Sequence, residues 1–213
     1  MKKTLFLMLL AFPCWLFAQI GIKAGINFAN VTNASSINSS SQSGFHGGLF
    51  LDPGSKGIMG FRTEILYSKQ GYNYKTSTNT GVVNLDYILM PQLMTFNITK
   101  FVQLQVGPQM AFLINAKVDS SNESTGNATA DKILDYYNRF DYGFAGGVEI
   151  HPFNGLLIGA RMSISLGNLY KIPEDGQPPS FIPEVDVKNN LFQIFAGWTF
   201  GKQSSSKSKK KQQ

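Results

Sequence analysis

Cysteine is all but missing from this chain of 213 residues, and the single one, Cys14, lies in the apolar N-terminal stretch. That stretch has the order of an export signal: Lys2 and Lys3 lead into the apolar run 5–17, with Ala18 before Gln19. It is too short for a transmembrane helix, and the expected cut follows Ala18, giving a signal peptide over 1–18. The mature chain then carries no thiol, which excludes disulfides, thiol catalysis and cysteine-based metal sites. A lipid-modified Cys14 is disfavoured too, because Phe12 and Pro13 stand where such sites carry small residues.

Charge is sparse and unevenly placed. Lys, Arg, Asp and Glu make up 15% of the chain, and the formal net charge is +6. The leader holds Lys2 and Lys3, and the tail "KQSSSKSKKKQQ" holds Lys202, Lys207, Lys209, Lys210 and Lys211 without one acid. The body between them is close to neutral, so nucleic acid is excluded as a partner. The tail 202–213 reads as a basic, low-complexity, disordered end.

Helical periodicity is also lacking outside the leader. In its place, eight segments alternate with period two: 20–28, 44–51, 60–69, 83–94, 102–115, 141–150, 158–167 and 191–200. Most have the nine to eleven residues that a tilted strand needs to cross a bilayer. The connections alternate in length. Long polar stretches such as "ANVTNASSINSSSQS" and "QGYNYKTSTNTGV" follow the odd segments, and short turns, "DPGSKG", "FNITKF" and "HPFNG", follow the even ones. Tight turns at one end and long loops at the other are the mark of an outer-membrane barrel.

Alternation alone leaves open which face is inside. The apolar parity carries no charge in any segment; in the fourth it runs Val83, Leu85, Tyr87, Leu89, Pro91, Leu93. A charge facing lipid at mid-depth costs about 2–4 kcal/mol, so this parity is expected to face hydrocarbon. The other parity collects most strand glycines, Gly21, Gly25, Gly48, Gly107, Gly143 and Gly147 among them. A narrow lumen filled by side chains demands such small residues. It also carries Lys23, Arg62, Glu64, Asp86, Asp141, Glu149 and Arg161, whose signs nearly cancel. Enclosed charges must be paired. The expectation is an internal ion-pair network centred on Arg62 and Arg161, with Glu64, Asp86 and Glu149 as partners. Pro91 and Pro108 cannot donate to a ladder and mark gaps in pairing, with Gln92 and Gln109 facing inward beside them.

Together these segments resemble the PorT-like outer-membrane β-barrel domain of Bacteroides-type bacteria. The likeness rests on "IGIKAGINFANV", "GFRTEILYSKQG", "LDYILMPQLM", "VQLQVGPQMAFLINAK", "DYGFAGGVEI" and "LFQIFAGWTF" and spans 19–201. It implies an outer-membrane location and, for one branch of that family, an association with protein secretion. It carries over no catalytic residue.

Hidden chemistry was sought at the two histidines and the inward serines. His46 sits on the inner parity of the second segment and His151 opens a short turn, so the two belong to opposite ends. Ser163 and Ser165 face inward without a histidine nearby, and no Ser–His–acid trio or metal spacing emerges. The loops remain: Tyr136 and Tyr137 in 117–140, and Tyr170 and Phe181 in 168–190, are the candidate recognition residues. Tyr136 and Tyr137 serve either as a sticky patch or as a cap on the barrel mouth, and Tyr170 and Phe181 belong to a proline-punctuated, semi-rigid stretch.

The sequence therefore predicts an all-β, eight-stranded antiparallel up-and-down transmembrane β-barrel over 19–201, monomeric, in the bacterial outer membrane. Its contacts are outer-membrane lipid and, through its loops, protein partners; no cofactor, metal or catalytic residue is expected. The first functional reading is a non-enzymatic accessory component of protein secretion or envelope assembly. The alternative is a small-solute channel or ligand-sensing barrel. A lipid-modifying enzyme and a soluble exported binder rank below both.

Overall fold

In the computed structural model, each alternating segment is a strand: β1 (Gln19–Thr32), β2 (Ser40–Asp52), β3 (Met59–Lys75), β4 (Thr80–Asn97), β5 (Val102–Ser120), β6 (Phe140–Phe153), β7 (Leu156–Ser165) and β8 (Lys188–Phe200). The structure describes residues 19–32, 39–52, 57–75, 80–120, 134, 136–153, 155–171 and 187–200. The export leader, the basic tail and Phe181 lie outside the described residues. Each strand pairs antiparallel with the next, and β8 returns to β1, closing the barrel. Closure satisfies the backbone between strands, which a sheet needs in order to stand in hydrocarbon.

The greasy parity faces out in seven strands. Leu104 and Ile164 are 43% and 49% exposed, whereas Arg62 and Arg161 are 1% exposed each. Aromatic rings border the apolar band at both ends. On the long-loop side Phe45 meets Tyr67, Phe112 meets Phe140 and Phe28 meets Phe192, at centroid distances of 6.0, 5.2 and 6.4 Å. On the short-turn side stand Phe101, Phe153, Trp198 and Phe200, all exposed. Two such girdles are where a membrane barrel meets its interfaces.

The fourth strand is the exception. Val83, Leu85, Tyr87, Leu89 and Leu93 point into the lumen and are buried, and Pro91 lies inside with them. The register requires this, because Arg62 lies opposite Leu93 and Ser68 opposite Tyr87, and opposed residues share a face. The other side of β4 offers Ile88, Met90 and Met94 to lipid, so both of its faces are apolar within the membrane. Asp86, taken as the sign of an inner face, sits opposite Lys69 two residues beyond Tyr67 of the aromatic border, on the outer wall in water. Gln92 likewise faces outward, where the Thr63 hydroxyl donates to its Oε1 at 2.8 Å.

The stretch 70–82, expected as a loop, is mostly strand. β3, β4 and β5 run to 17, 18 and 19 residues and form a wall that rises past the aromatic border. Its outer face carries Lys69, Asp86, Asn115, Lys117 and Asp119, with Asn115 donating to Asp86 at 3.0 Å. Outside the membrane the outward parity has no need to be apolar, so alternation fades to a polar run although the strand continues.

Pro91 and Pro108 interrupt the ladders without shifting register. Pro91 lies opposite Gln109, and Met94 opposite Val106, on one unbroken count. Tight packing explains the inner glycines at two positions in particular. A β-carbon at Gly21 would lie 2.0 Å from the Phe50 ring, and one at Gly159 would lie 2.8 Å from both Glu149 and Phe195.

Candidate functional site

The lumen is filled in layers, and each layer draws its side chains from several strands. Nearest the short turns is a floor of ions. Arg161 of β7 donates to Glu64 of β3 through NH1 and NH2, at 2.7 and 2.8 Å. Arg62 NH1 donates to Glu149 Oε2 at 2.6 Å, and its NH2 donates to Asp52 Oδ2 at 2.9 Å. Lys23 Nζ of β1 joins both carboxylates, at 2.7 Å to Glu64 and 3.2 Å to Glu149. Gln103 accepts from Arg62, and Gln105 accepts from Arg161. Three cations thus face three carboxylates, with the Lys23, Glu64, Glu149 and Arg161 side chains fully buried. Two rings complete the floor: Lys23 Nζ is 3.9 Å from the Phe195 centroid, and Arg62 Cζ is 4.9 Å from that of Phe50.

Of the residues expected in this network, Arg62, Glu64, Glu149 and Arg161 come together and Asp86 does not. Inverting β4 turns Asp86 outward, and Lys23 and Asp52 occupy the places that the expectation left open. Lys23 was legible as an inner-parity charge. Asp52 closes the turn end of β2, where alternation assigns no face. Phe50 and Phe195 escaped notice because a narrow lumen was expected to hold small and polar groups.

Above the floor lies an amide and hydroxyl layer. Asn27 Nδ2 donates to Ser68 Oγ at 2.9 Å, and its Oδ1 meets His46 Nδ1 at 2.7 Å and accepts from Gln193 Nε2 at 3.1 Å. Gln70 Nε2 donates to Ser68 Oγ at 2.9 Å, and Gln70 Oε1 accepts from Asn189 at 2.7 Å.

Next comes a small cavity toward the long-loop end, with room for little more than a water molecule, bordered by Gln70, Tyr87, Gln109, Asp141, Ser163 and Ser165 among others. Ser163 Oγ donates to Gln109 Oε1 at 3.1 Å, Ser165 Oγ donates to Asp141, and the Tyr142 amide donates to Asp141 Oδ1 at 2.7 Å.

A cap closes the mouth. Tyr137 and Tyr170 come from the two longest connections and form an isolated β-bridge with each other. Both turn inward to Tyr72 of β3, whose hydroxyl meets that of Tyr137 at 3.2 Å and that of Tyr170 at closer range. Of the two roles open to the loop aromatics, these rings take the cap. They are 2% and 8% exposed, and Tyr136 is half-buried against the same apolar cluster. Burial pushes the Tyr170 phenol up to about 12, and it raises Tyr137 further.

His46 is buried in the amide layer, while His151 stands at the turn end, its Nε2 3.6 Å from Glu149. Ser163 and Ser165 bond to Gln109 and Asp141 rather than to an imidazole. Among the described residues no group of three metal-ligating side chains comes together. The paired charges of the floor hold the lumen shut at the turn end.

Three solved barrels are similar to this chain. Ail, the attachment invasion locus protein of Yersinia pestis, shares 15% identity over 86% of this chain and 99% of its own, with a TM-score of 0.48. Neisserial surface protein A shares 15% over 86% and 99%, with a TM-score of 0.48. The outer membrane protein OprG from Pseudomonas aeruginosa shares 10% over 87% and 97%, with a TM-score of 0.47. No curated protein matches the chain. A family model described as "Outer membrane protein beta-barrel domain" matches residues 12–171. The PorT-like likeness is therefore corrected: the family that matches is this one, and Ail, Neisserial surface protein A and OprG are among the similar solved barrels. The quoted motifs encode strand alternation, which any barrel of this size must contain, so they identify the architecture and not its branch. The secretion-accessory role rested on that likeness and falls with it. With a closed eight-stranded barrel, two aromatic girdles and a family match over most of its length, the chain belongs to the outer membrane protein beta-barrel domain family and resides in the bacterial outer membrane.

Proposed function

We propose that this protein is a ligand-sensing barrel: a small solute enters from the extracellular side, settles in the lumen cavity beneath the tyrosine cap, and is held without passing through. The asymmetry of the lumen carries this reading. Its turn end is sealed by six paired charges, while its loop end holds a small cavity of mixed polar and apolar lining below a cap of residues from two long connections. A cap built from loop residues is the element that a bound solute can shift, and its position links the cavity to the cell surface.

Two measurements test the reading. In planar bilayers the wild-type barrel shows no conductance steps above baseline, whereas Glu64→Ala with Arg161→Ala opens the floor and produces them. In detergent, a panel of small cationic, neutral and anionic solutes contains at least one that raises the thermal midpoint of the wild type. Steady wild-type conductance, or a panel without any effect, removes the proposal.

A second reading is supported by the β3–β5 wall, whose hydrogen-bonded polar outer face stands clear of the membrane. Such a surface suits recognition of a protein partner. Charge reversal at Lys117 and Asp119, followed by capture of surface proteins on the folded barrel, distinguishes it: the reading requires a wild-type partner that the reversed variant loses.

A further inference from the structure

Charge is balanced in the floor of the lumen and unbalanced in the cavity above it. Among the described residues that line the cavity, Asp141 is the only formally charged one, and no Lys or Arg stands with it. The Ser165 hydroxyl and the Tyr142 amide donate to the Asp141 carboxylate, yet among the described residues no cation pairs with it. A partly enclosed carboxylate without a counter-ion is costly to ionise, and a ligand of opposite sign removes that cost. A second observation lies at the same place. Tyr87 lines the cavity and is 1% exposed, and its hydroxyl is sealed from solvent with no hydrogen-bond partner among the described residues. A buried hydroxyl left without a partner costs about 1–3 kcal/mol, so one that borders a cavity is satisfied by what fills the cavity, a water or a ligand.

From these two observations we infer that the cavity between Tyr87 and Asp141 binds a small monovalent cation, either an ammonium-headed solute or an alkali metal ion. Part of the remaining lining supports the same chemistry, beside the apolar Leu89, Ala111, Ile164 and Leu191. The amide oxygens of Gln70 and Gln109 and the hydroxyls of Ser163 and Ser165 are neutral oxygen donors of the kind that replaces a hydration shell. Anions are excluded by Asp141 and by the absence of any lining cation. The space is close to that of a single water molecule, which limits the occupant to a bare ion or an ammonium head. The floor keeps the site one-sided, because its paired side chains fill the lumen beneath the cavity and leave a cation no way on toward the turns.

This inference rests on the solute-binding reading above, and its test separates the two. The purified full chain in detergent is titrated calorimetrically with methylammonium chloride, potassium chloride and sodium chloride, each against tetramethylammonium chloride as a bulky control and with sodium acetate and glycerol as anionic and neutral probes. The expected result is saturable binding of methylammonium or of one alkali ion, and the identity of the binding salt assigns the source of the charge. Asp141→Asn lowers the affinity at least tenfold, and Tyr87→Phe, which keeps the ring, lowers it about threefold to tenfold. Circular dichroism and heat-modifiable gel mobility establish that each variant is folded; should Asp141→Asn fail to fold, Tyr87→Phe carries the test alone. Binding of glycerol or acetate with none of the cations overturns the inference and leaves the sensing reading intact. Cation binding that is unchanged in the folded variants overturns it as well, and binding of no probe overturns both.

Discussion

Arg161 and Glu64 meet through two parallel hydrogen bonds of 2.7 and 2.8 Å across the full width of the barrel, since β7 and β3 stand four strands apart in a ring of eight. The pair therefore works as a strut between opposite walls, and Lys23 ties it to the Arg62–Glu149 pair beside it.

Removing one end of the strut leaves a buried ion without its partner. Arg161→Ala is expected to destabilise the folded barrel by about 3–5 kcal/mol, while the joint change Arg161→Met with Glu64→Leu costs far less. Denaturant titration in lipid vesicles, followed by tryptophan fluorescence, checks this. Equal losses in the single and joint variants would contradict the ion-pair account.

Orientation is testable from the outside. Val106 lies on β5 between the exposed rings of Phe101 and Phe112, and Asn115 lies beyond Phe112 beside Asp86. Val106→Arg should cost about 2–4 kcal/mol in vesicles, and Asn115→Arg about 0–1 kcal/mol. Were the two to cost the same, the placement of the membrane on this barrel would be wrong.

Gly21 and Phe50 form an opposed pair, and the ring occupies the volume that a side chain at Gly21 would fill. Gly21→Val alone overpacks the floor, at about 1–3 kcal/mol. Combined with Phe50→Ala, which opens room for the new methyl groups, it should cost less than the sum of the two separate changes. A double-mutant cycle in thermal melts reads the coupling, and strict additivity would show that the two sites do not touch.

The architecture was legible in the sequence because membrane physics writes it twice, once in the outward band and once in the turn lengths. What was not legible has specific causes. β4 carries Val83, Leu85 and Leu89 on one side and Ile88, Met90 and Met94 on the other. Two apolar faces give alternation no sign, and Asp86 then tipped the choice the wrong way. The stretch 70–82 hid its strands because Asn73 and Lys75 face water above the membrane. At the candidate site, Arg62, Glu64, Glu149 and Arg161 could be named from parity alone, yet who binds whom across the lumen depends on rotation of strands that no local pattern records. The cavity was invisible for the same reason, since Tyr87 was assigned to lipid.

Alkali acts on the cap. In an unfolded chain a tyrosine titrates near pH 10, whereas burial holds the Tyr170 phenol up to about 12. The folded form is therefore favoured at full strength below pH 10 and loses that advantage as the pH climbs from 10 to 12, because the unfolded chain sheds its proton first. Absorbance at 295 nm should show exposed tyrosines ionised at pH 11 with the capping ones still neutral, and Tyr170→Phe should shift the alkaline unfolding midpoint upward. A single titration near pH 10 for all the tyrosines would dispose of the cap.

The floor contacts join positions that are 41, 87, 97 and 126 residues apart. The first three strands bring Lys23 to Glu64 and Arg62 to Asp52, but the partners that complete the network, Glu149 and Arg161, arrive only with β6 and β7. A half-wound sheet thus carries ions whose bonds are incomplete and which are costly to bury in oil, an arrangement that favours insertion together with closure. The fastening that keeps the adult pore shut is also what denies its unfinished forms a resting place.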